Sequence, residues 1–321
     1  MAPEPEALDR FQSDLDALIA PGARIGIAVS GGPDSLALLL LAAAARPGAI
    51  EAATVDHGLR DGSRAEAEAV ARVCAELGVP HAILTAGWKD APKTAIQERA
   101  RNERYRLLGF WAEERGLDAL TTAHHADDQA ETLLMRLSRG AGVRGLAGMR
   151  RRSVAPGTEV ALLRPLLGWR RAELEQVCAN AGATPALDPS NRNERFERVR
   201  VRRALGEAEW LDPAALARSA AHLSDAQTAL AWAAMEEWKA NARERSGAIL
   251  YRPHGTPHEI LRRIAARAVR RLAIEGDPEL RGRELDLLIS ALTAGNQATI
   301  RGVLCSGGPE WRFTQAPPRR S

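Results

Sequence analysis

The first candidate for chemistry is the stretch VSGGPDSL, in which a short apolar run meets two glycines and the start of an apolar helix. A phosphate-binding loop needs converging backbone N–H groups, small residues that let the anion approach, and a helix N-terminus behind it. The glycines have no Cβ to obstruct an anion, and proline suits a first helical turn, where its missing N–H costs nothing. The stretch therefore predicts a nucleotide-phosphate site formed by Ser30, Gly31, Gly32, Pro33, Asp34 and Ser35.

Asp34 is the unusual member of this loop, because a carboxylate repels a phosphate unless a cation lies between them. Magnesium is commonly bound by one or two carboxylates together with substrate phosphates. We therefore expect Asp34 to bind Mg²⁺. The loop is not a Walker A motif, since no GK[ST] follows, and the formal GxGxxG at residues 140–145 follows a helical pattern rather than a strand.

The tetrapeptide SGGP returns at residues 306–309, where Glu-Trp-Arg-Phe follows it with the pattern of a returning strand. Glycine supplies the positive φ that a tight hairpin turn requires. We therefore predict a hairpin for the second copy and phosphate binding for the first copy only.

A second cluster lies in TTAHHADDQAETLLMRLSRG, residues 121–140, where carboxylates and histidines follow a short apolar run. On a helix, Asp128 and Glu131 are three residues apart and Asp127 and Glu131 four apart, so the carboxylates share a face. Acidic residues in a first turn can also simply complement the helix dipole. A hydrolytic site with two metal ions is a further interpretation, which we favour less because the upstream loop already provides nucleotide chemistry with Mg²⁺.

These residues require elements that position them, and strand and helix patterns alternate along the first two thirds of the chain. Such alternation predicts an α/β fold with a doubly wound parallel sheet, covered by helices on both faces. Beyond residue 206 the pattern changes to helices and a closing hairpin. We therefore predict a nucleotide-binding domain over residues 1–205 and a smaller, mainly helical domain over residues 206–321.

Composition narrows the classes of protein further. The 321 residues are 45% hydrophobic and 26% charged, and the sequence predicts neither a secretory signal nor a membrane-spanning run. Three widely spaced cysteines form no CxxC, which favours a reducing, cytoplasmic setting. The sequence pI is about 9.0 with clustered arginines. Such clusters favour a nucleic-acid partner, although solvated helix faces are the alternative. No feature indicates a protein partner.

The motifs together resemble a known family. Strand-SGGxDS-helix is similar to the PP-loop of the ATP pyrophosphatase superfamily, and AHxxDDQxET at residues 123–132 is similar to the second signature of its tRNA-modifying members. Over residues 22–205 the chain resembles the tRNA(Ile)-lysidine synthetases. The further matching motifs are DHGLR, ERARNERY, RGAGVRGLAGM, RPLL and DPSN.

The resemblance implies a reaction in two steps. ATP adenylates the C2 oxygen of the wobble cytidine in an isoleucine tRNA with a CAU anticodon, and free L-lysine then displaces AMP to form lysidine. Catalytic roles fall to Asp34, Asp128 and Glu131. The last two would bind lysine, and His124 would orient the nucleotide or the carboxylates unless it is a structural histidine.

The remaining candidate residues are cationic or face the nucleotide. His57 lies where the adenosine is expected, and Arg101 or Arg104 would stabilise charge during transfer, unless each lies on a solvated helix face. Arg195, Arg198 and Arg202 share a helical face that we expect to contact tRNA phosphates. The arginines of residues 262–271 form a second candidate tRNA surface.

Three other functions remain open from the sequence. A PP-loop tRNA thiolase would need a persulfide or an iron–sulfur cluster, which the lack of a CxxC disfavours. Amide-forming relatives would leave the arginine faces unexplained. A nucleotide-sensing module without enzymatic activity would leave the DD-x-x-E cluster unexplained.

Overall fold

The computed structural model describes residues 1–58, 62–88, 96–186, 197–273, 280 and 282–317. The chain divides into two compact units, Met1–Ser224 and Asp225–Ser321. Among the described residues no helix combines the length and the apolar character that a membrane crossing requires. The predicted domain boundary at residues 205 and 206 stays a prediction.

The first unit is built on a six-stranded sheet. Its strands are β1 (Ile25–Ala28), β2 (Ile50–Asp56), β3 (His81–Thr85), β4 (Ala119–Thr121), β5 (Arg152–Val154) and β6 (Ala161–Leu163). The strand order is β3-β2-β1-β4-β6-β5, and every pair is parallel except β5 with β6. The predicted α/β fold with a mostly parallel sheet is confirmed.

Helices cover this sheet. They are α1 (Pro5–Asp16), α2 (Pro33–Ala45), α3 (Ser63–Glu76), α4 (Ile96–Glu114), α5 (Ala126–Leu137), α6 (Val143–Leu146), α7 (Arg171–Asn180) and α8 (Glu197–Glu207). Helix α9 (Pro213–Asn241) contains the division between the units. A 3-10 turn (Pro165–Gly168) precedes α7.

Helix α2 is apolar on nearly every side because it is surrounded by protein. Residues 35–42 are all buried, and α2 packs against α1 and α7. A helix that is hydrophobic all round belongs in a core, so its N-terminus is held rigidly at the end of β1. The phosphate loop is therefore anchored by the most buried helix of the unit.

The strand order creates a switch point between β1 and β4. The chain runs outward from β1 through β2 to β3 and then returns to place β4 on the other side of β1. In open α/β sheets, ligands bind outside the carboxyl ends of the strands at such a point. The loop after β1 begins at Val29 and the loop after β4 at Thr122, so the two candidate clusters meet at this crevice.

The second unit contains more sheet than the sequence predicts. Helices α10 (His258–Leu272) and α11 (Gly282–Thr293) accompany β7 (Ala242–Arg245), β8 (Ala248–Tyr251), β9 (Gln297–Ile300), β10 (Val303–Ser306) and β11 (Trp311–Gln315). These strands form an antiparallel sheet in the order β7-β8-β11-β10-β9. The hairpin predicted at the second SGGP is confirmed by the antiparallel pairing of β10 with β11. Strands of four residues carry little periodic signal, which is why the sequence does not predict β7, β8 and β9.

Candidate active site

The phosphate loop is shaped by its own hydroxyl groups. The backbone N–H of Ser30 donates to Ser35 Oγ at 3.1 Å, and Ser35 Oγ donates to the Gly32 carbonyl at 3.0 Å. Gly31 has φ +87°, a conformation that glycine adopts without strain. Ser30 is exposed and no neighbour approaches closely where a Cβ at Gly32 would lie, so the predicted phosphate position is open.

Asp34 lies in the first turn of α2 and faces the start of α5. Its Oδ2 is 3.4 Å from Nε2 of His125, whereas its Oδ1 is buried and has no hydrogen-bond partner among the described residues. An orphaned carboxylate oxygen beside a phosphate loop fits the coordination of a cation. No group of three or more His, Cys, Asp or Glu side chains among the described residues is placed to hold a metal ion. Magnesium at Asp34 would therefore need substrate oxygens to complete its shell.

His125 brings three carboxylates together, although the sequence does not predict it as a site residue. Its side chain is only 2% exposed, and its Nε2 also lies 3.5 Å from Asp128 Oδ2, while its Nδ1 lies 3.6 Å from Asp127 Oδ2. Burial alone would lower the pKa of His125, but the contacts with Asp127 and Asp34 and the charge of Asp128 raise that pKa to about 10. The sequence does contain one signal for His125, which is its position immediately before a helix that has two aspartates in its first turn.

Asp127 belongs to a structural contact with α7. Both of its oxygens accept hydrogen bonds from the Arg170 guanidinium at 3.2 Å, and the Arg171 N–H donates to Oδ2 at 2.8 Å. Burial opposes ionisation, but the contacts with His125 and Arg170 hold the pKa of Asp127 well below its ordinary value. Arg170 is thus engaged within the protein.

Asp128 and Glu131 meet the arginines of α8. Glu131 is 1% exposed and accepts from Arg198 Nε at 2.7 Å and from Arg202 Nε at 2.5 Å. Arg198 Nη2 also donates to Asp128 Oδ1 at 3.0 Å. The structure therefore joins the residues predicted to bind lysine with two of those predicted to contact tRNA; the third, Arg195, lies outside the described residues. These assigned roles stay predictions.

The charges of several arginine side chains act on His124. Its Nδ1 shares a hydrogen bond of 3.0 Å with Thr122 Oγ1. Burial and the charges of Arg164, Arg101 and Arg104 hold the pKa of His124 well below its ordinary value, so the ring is neutral near pH 7. The charges of both arginines that are predicted to stabilise the transferred charge therefore act on His124.

Arg164 is a site residue that the sequence does not single out. It is 7% exposed at the end of β6, its Nη1 donates to the Arg150 carbonyl and to Ser153 Oγ, and its Nε has no hydrogen-bond partner in the described segments. Arg101 and Arg104 lie 5.1 and 5.4 Å from the Tyr105 ring centre. None of the three arginines forms an ion pair among the described residues, so together they provide positive charge suited to an anion.

His57 lies at the end of β2, where the sequence predicts the adenosine. Within the described part of the chain its Nδ1 is buried without a hydrogen-bond partner, and its carbonyl accepts from Trp88 Nε1 at 2.8 Å. Burial and then the charge of Arg104 lower the pKa of His57. A neutral ring with a free nitrogen suits a nucleobase or ribose, although its role stays a prediction.

The arginines of residues 262–271 are engaged within the second unit. Arg262 pairs with Asp286 at 2.5 Å, Arg263 donates to Glu259 and Gln227, and Arg267 lies over Trp238. Arg271 pairs with Glu244. The internal contacts weaken the prediction of a second tRNA surface there.

The cysteines are all buried and free. Burial raises the pKa of Cys74 to about 12, of Cys178 to about 11 and of Cys305 to about 12. Such thiols are unreactive at neutral pH.

Comparison with known proteins agrees with this geometry. Residues 6–209 match the PP-loop domain family. The tRNA(Ile)-lysidine synthase of Novosphingobium aromaticivorans is 47% identical, covering 98% of this chain and 95% of that protein. The enzyme of Zymomonas mobilis is 43% identical over 92% and 90% of the two chains. That of Methylobacterium nodulans is 41% identical over 100% and 99%.

The sheet, the loop and the family match together define a PP-loop protein, an enzyme class that uses ATP. In fold, the chain is similar to the U34-tRNA thiolase NcsA of Methanococcus maripaludis, with a TM-score of 0.58 and 19% identity over 69% of this chain and 78% of that one. At that identity the likeness concerns the fold alone. Within the PP-loop class, the chain belongs to the tRNA(Ile)-lysidine synthase family.

Proposed function

We propose that this enzyme joins free L-lysine to C2 of the wobble cytidine in the isoleucine tRNA with a CAU anticodon, in the cytoplasm. In the first step the cytidine O2 attacks the α-phosphorus of ATP, the bond to the bridging oxygen breaks, and pyrophosphate leaves. In the second step the ε-amine forms a bond to C2, and the C2–O bond breaks with its electron pair leaving on AMP. The nitrogen gives up a proton to solvent before it attacks.

The first step is supported by the loop between β1 and α2. The open space at Gly32 and the helix N-terminus behind it suit a polyphosphate. A magnesium ion held by Asp34 would neutralise phosphate charge there. Arg101, Arg104 and Arg164 supply fixed positive charge beside His124, where it can stabilise the charge that develops during in-line transfer.

The second step is supported by the acidic face of α5. Lysine is a cation, and Asp128 and Glu131 are carboxylates beside the crevice. The neutral ring of His124 can accept or donate a hydrogen bond without adding charge. Both carboxylates also accept hydrogen bonds from an arginine of α8, so lysine has to reach oxygens that already have a cationic partner.

A thiolase is the less favoured alternative. Sulfur transfer needs an accessible thiolate or a cluster, whereas Cys74, Cys178 and Cys305 are buried with raised pKa values. A nucleotide sensor would not need a buried Glu131, nor three arginines that lack carboxylate partners within the described part of the chain.

The observation that carries the proposal is the meeting of Asp34 with His125 and Asp128 at the switch point. The test measures AMP release from ATP with CAU-anticodon tRNA, with and without lysine. We expect pyrophosphate release to require tRNA and AMP release to require lysine as well. AMP release that is indifferent to lysine would instead indicate a thiolase, and no release at all a sensor.

A further inference from the structure

The acid pair of α5 already holds two cations in this structure. Each Glu131 oxygen accepts a hydrogen bond from a guanidinium of α8, and Arg198 also reaches Asp128 Oδ1. Asp128 Oδ2 accepts from the backbone N–H of His125 at 3.1 Å. Two carboxylates therefore face two guanidinium ions, in addition to the His125 ring that Asp128 shares with Asp34 and Asp127.

A substrate amine would need the same oxygens. Glu131 is 1% exposed, so a lysine ammonium cannot reach it while both guanidinium groups remain in place. Arg198 and Arg202 are themselves about one third exposed, at 36% and 35%, so each has room to swing toward solvent. Removing one partner from a buried ion pair is strongly destabilising, so an incoming ammonium has to replace the guanidinium as it leaves Glu131.

We propose that Arg198 and Arg202 are internal competitors of lysine for Asp128 and Glu131, and that lysine binds by displacing at least one guanidinium. This inference rests on the proposed function and concerns the regulation of the same site. In the free enzyme the carboxylates of Asp128 and Glu131 are then always paired with guanidinium groups. An amine that forms no further contacts gains little binding energy by displacing them.

Displacement by lysine also frees a guanidinium group to bind an anion. Arg198 contacts Asp128 and Arg202 contacts Glu131, on the helix whose start meets Asp34 through His125, so both guanidinium groups already lie near the crevice. A released guanidinium is free to meet a phosphate of ATP or tRNA. Lysine and the anionic substrate would then strengthen each other's binding, because coupling between two ligands is reciprocal.

The test compares lysine KM, at fixed ATP and tRNA concentrations below their own KM values, among Arg202→Met, Arg198→Met, Glu131→Gln and the parent enzyme. Removing a competitor should lower lysine KM by about three- to tenfold, a modest change because solvent screens these partly exposed pairs. Removing the shared acceptor in Glu131→Gln should raise it by a similar factor. Arg203→Met, on the same helix but paired with Glu207, is the matched control and should leave lysine KM unchanged.

The signs of the effects decide the outcome. If Glu131 only anchors the two arginines, the arginine variants will raise lysine KM just as Glu131→Gln does, and competition is wrong. If an arginine variant raises tRNA KM and leaves lysine KM unchanged, that arginine is a tRNA contact and competition is again wrong. Arg202→Lys retains the charge with one contact fewer, so it should give an intermediate lysine KM if Arg202→Met folds poorly.

The proposed function has a separate readout. Pyrophosphate release without lysine reports the first step alone, so its absence in the parent enzyme would contradict the proposed function. Normal pyrophosphate release combined with the wrong sign of the lysine KM changes would contradict the competition alone.

Discussion

Nε2 of His125 lies 3.4 Å from Oδ2 of Asp34 and joins the first turn of α2 to the start of α5. The contact exists because β4 lies beside β1 in the sheet, which places the loops that follow these strands next to each other. It joins the residue expected to bind magnesium to the helix expected to bind lysine. The residues expected to serve the adenylation step and the lysine step therefore belong to one connected cluster of charged side chains.

Asp34→Asn should abolish the first step. The substitution keeps the shape of the side chain but removes the charge that we expect to hold magnesium. Pyrophosphate release with CAU-anticodon tRNA should fall by about 100-fold or more. Asp9→Asn, at an exposed position on α1, is the control and should have no effect. Near-normal pyrophosphate release by Asp34→Asn would contradict the assignment of magnesium to this residue.

Gly32→Ala tests the phosphate position without disturbing the fold. Gly32 has φ −71°, and an added Cβ would meet only Ser30 Oγ at 3.8 Å, so the variant should unfold at the parent temperature. If a phosphate occupies that space, the methyl group should raise the KM for ATP by about tenfold or more. Gly206→Ala, which also meets open space, is the matched control. An unchanged ATP KM in Gly32→Ala would show that the phosphates lie elsewhere.

His124 should make the protein lose stability in mild acid. Its pKa in the folded state is below the ordinary value of about 6.5, so below that pH the unfolded chain binds a proton that the folded chain does not. The free energy of unfolding should therefore fall by about 1 kcal/mol between pH 6.5 and 5.5 through this group. Urea denaturation at the two pH values should show a smaller loss for His124→Gln. An equal loss in both proteins would mean that His124 titrates normally.

Arg263→Met should affect stability and leave tRNA recognition unchanged. Arg263 is largely buried and donates to Glu259 at 2.9 Å and to the buried Gln227 at 2.6 Å, so its loss takes this partner from the Gln227 amide at a cost of about 1–3 kcal/mol. Thermal unfolding should detect this, while the KM for tRNA should stay within about twofold. Arg312→Met, at an exposed position of the same unit, should change neither quantity. A large rise in tRNA KM for Arg263→Met would instead support the prediction that the arginines of residues 262–271 contact tRNA.

The sequence predicts features that depend on neighbouring residues. It predicts the loop between β1 and α2 because strand, glycines, proline and helix succeed one another directly. The two SGGP copies differ in the element that comes after them, a helix after the first and a returning strand after the second. In contrast, the sequence does not predict the three-residue strands β5 and β6 or the strands β7, β8 and β9 of the second unit, because such short strands show no alternating pattern.

The sequence predicts the members of the site but not their pairing. It predicts that Arg198 and Arg202 contact tRNA because they share a helical face, and the structure joins them to Glu131. Arg164 stands out in the sequence only as part of a motif, although its burial without an ion-pair partner among the described residues makes it a strong source of charge. Spacing along one helix reveals which side chains share a face but not which residues that face meets.

By itself, the sequence determined the phosphate loop, the parallel sheet and the residue types available for chemistry, because backbone preferences act over a few adjacent positions. Only the tertiary structure decided which charges meet, namely Asp34 with His125, and Glu131 with Arg198 and Arg202. Those contacts depend on the order of strands in the sheet and on the docking of α8 against α5, which bring distant segments within a few ångströms.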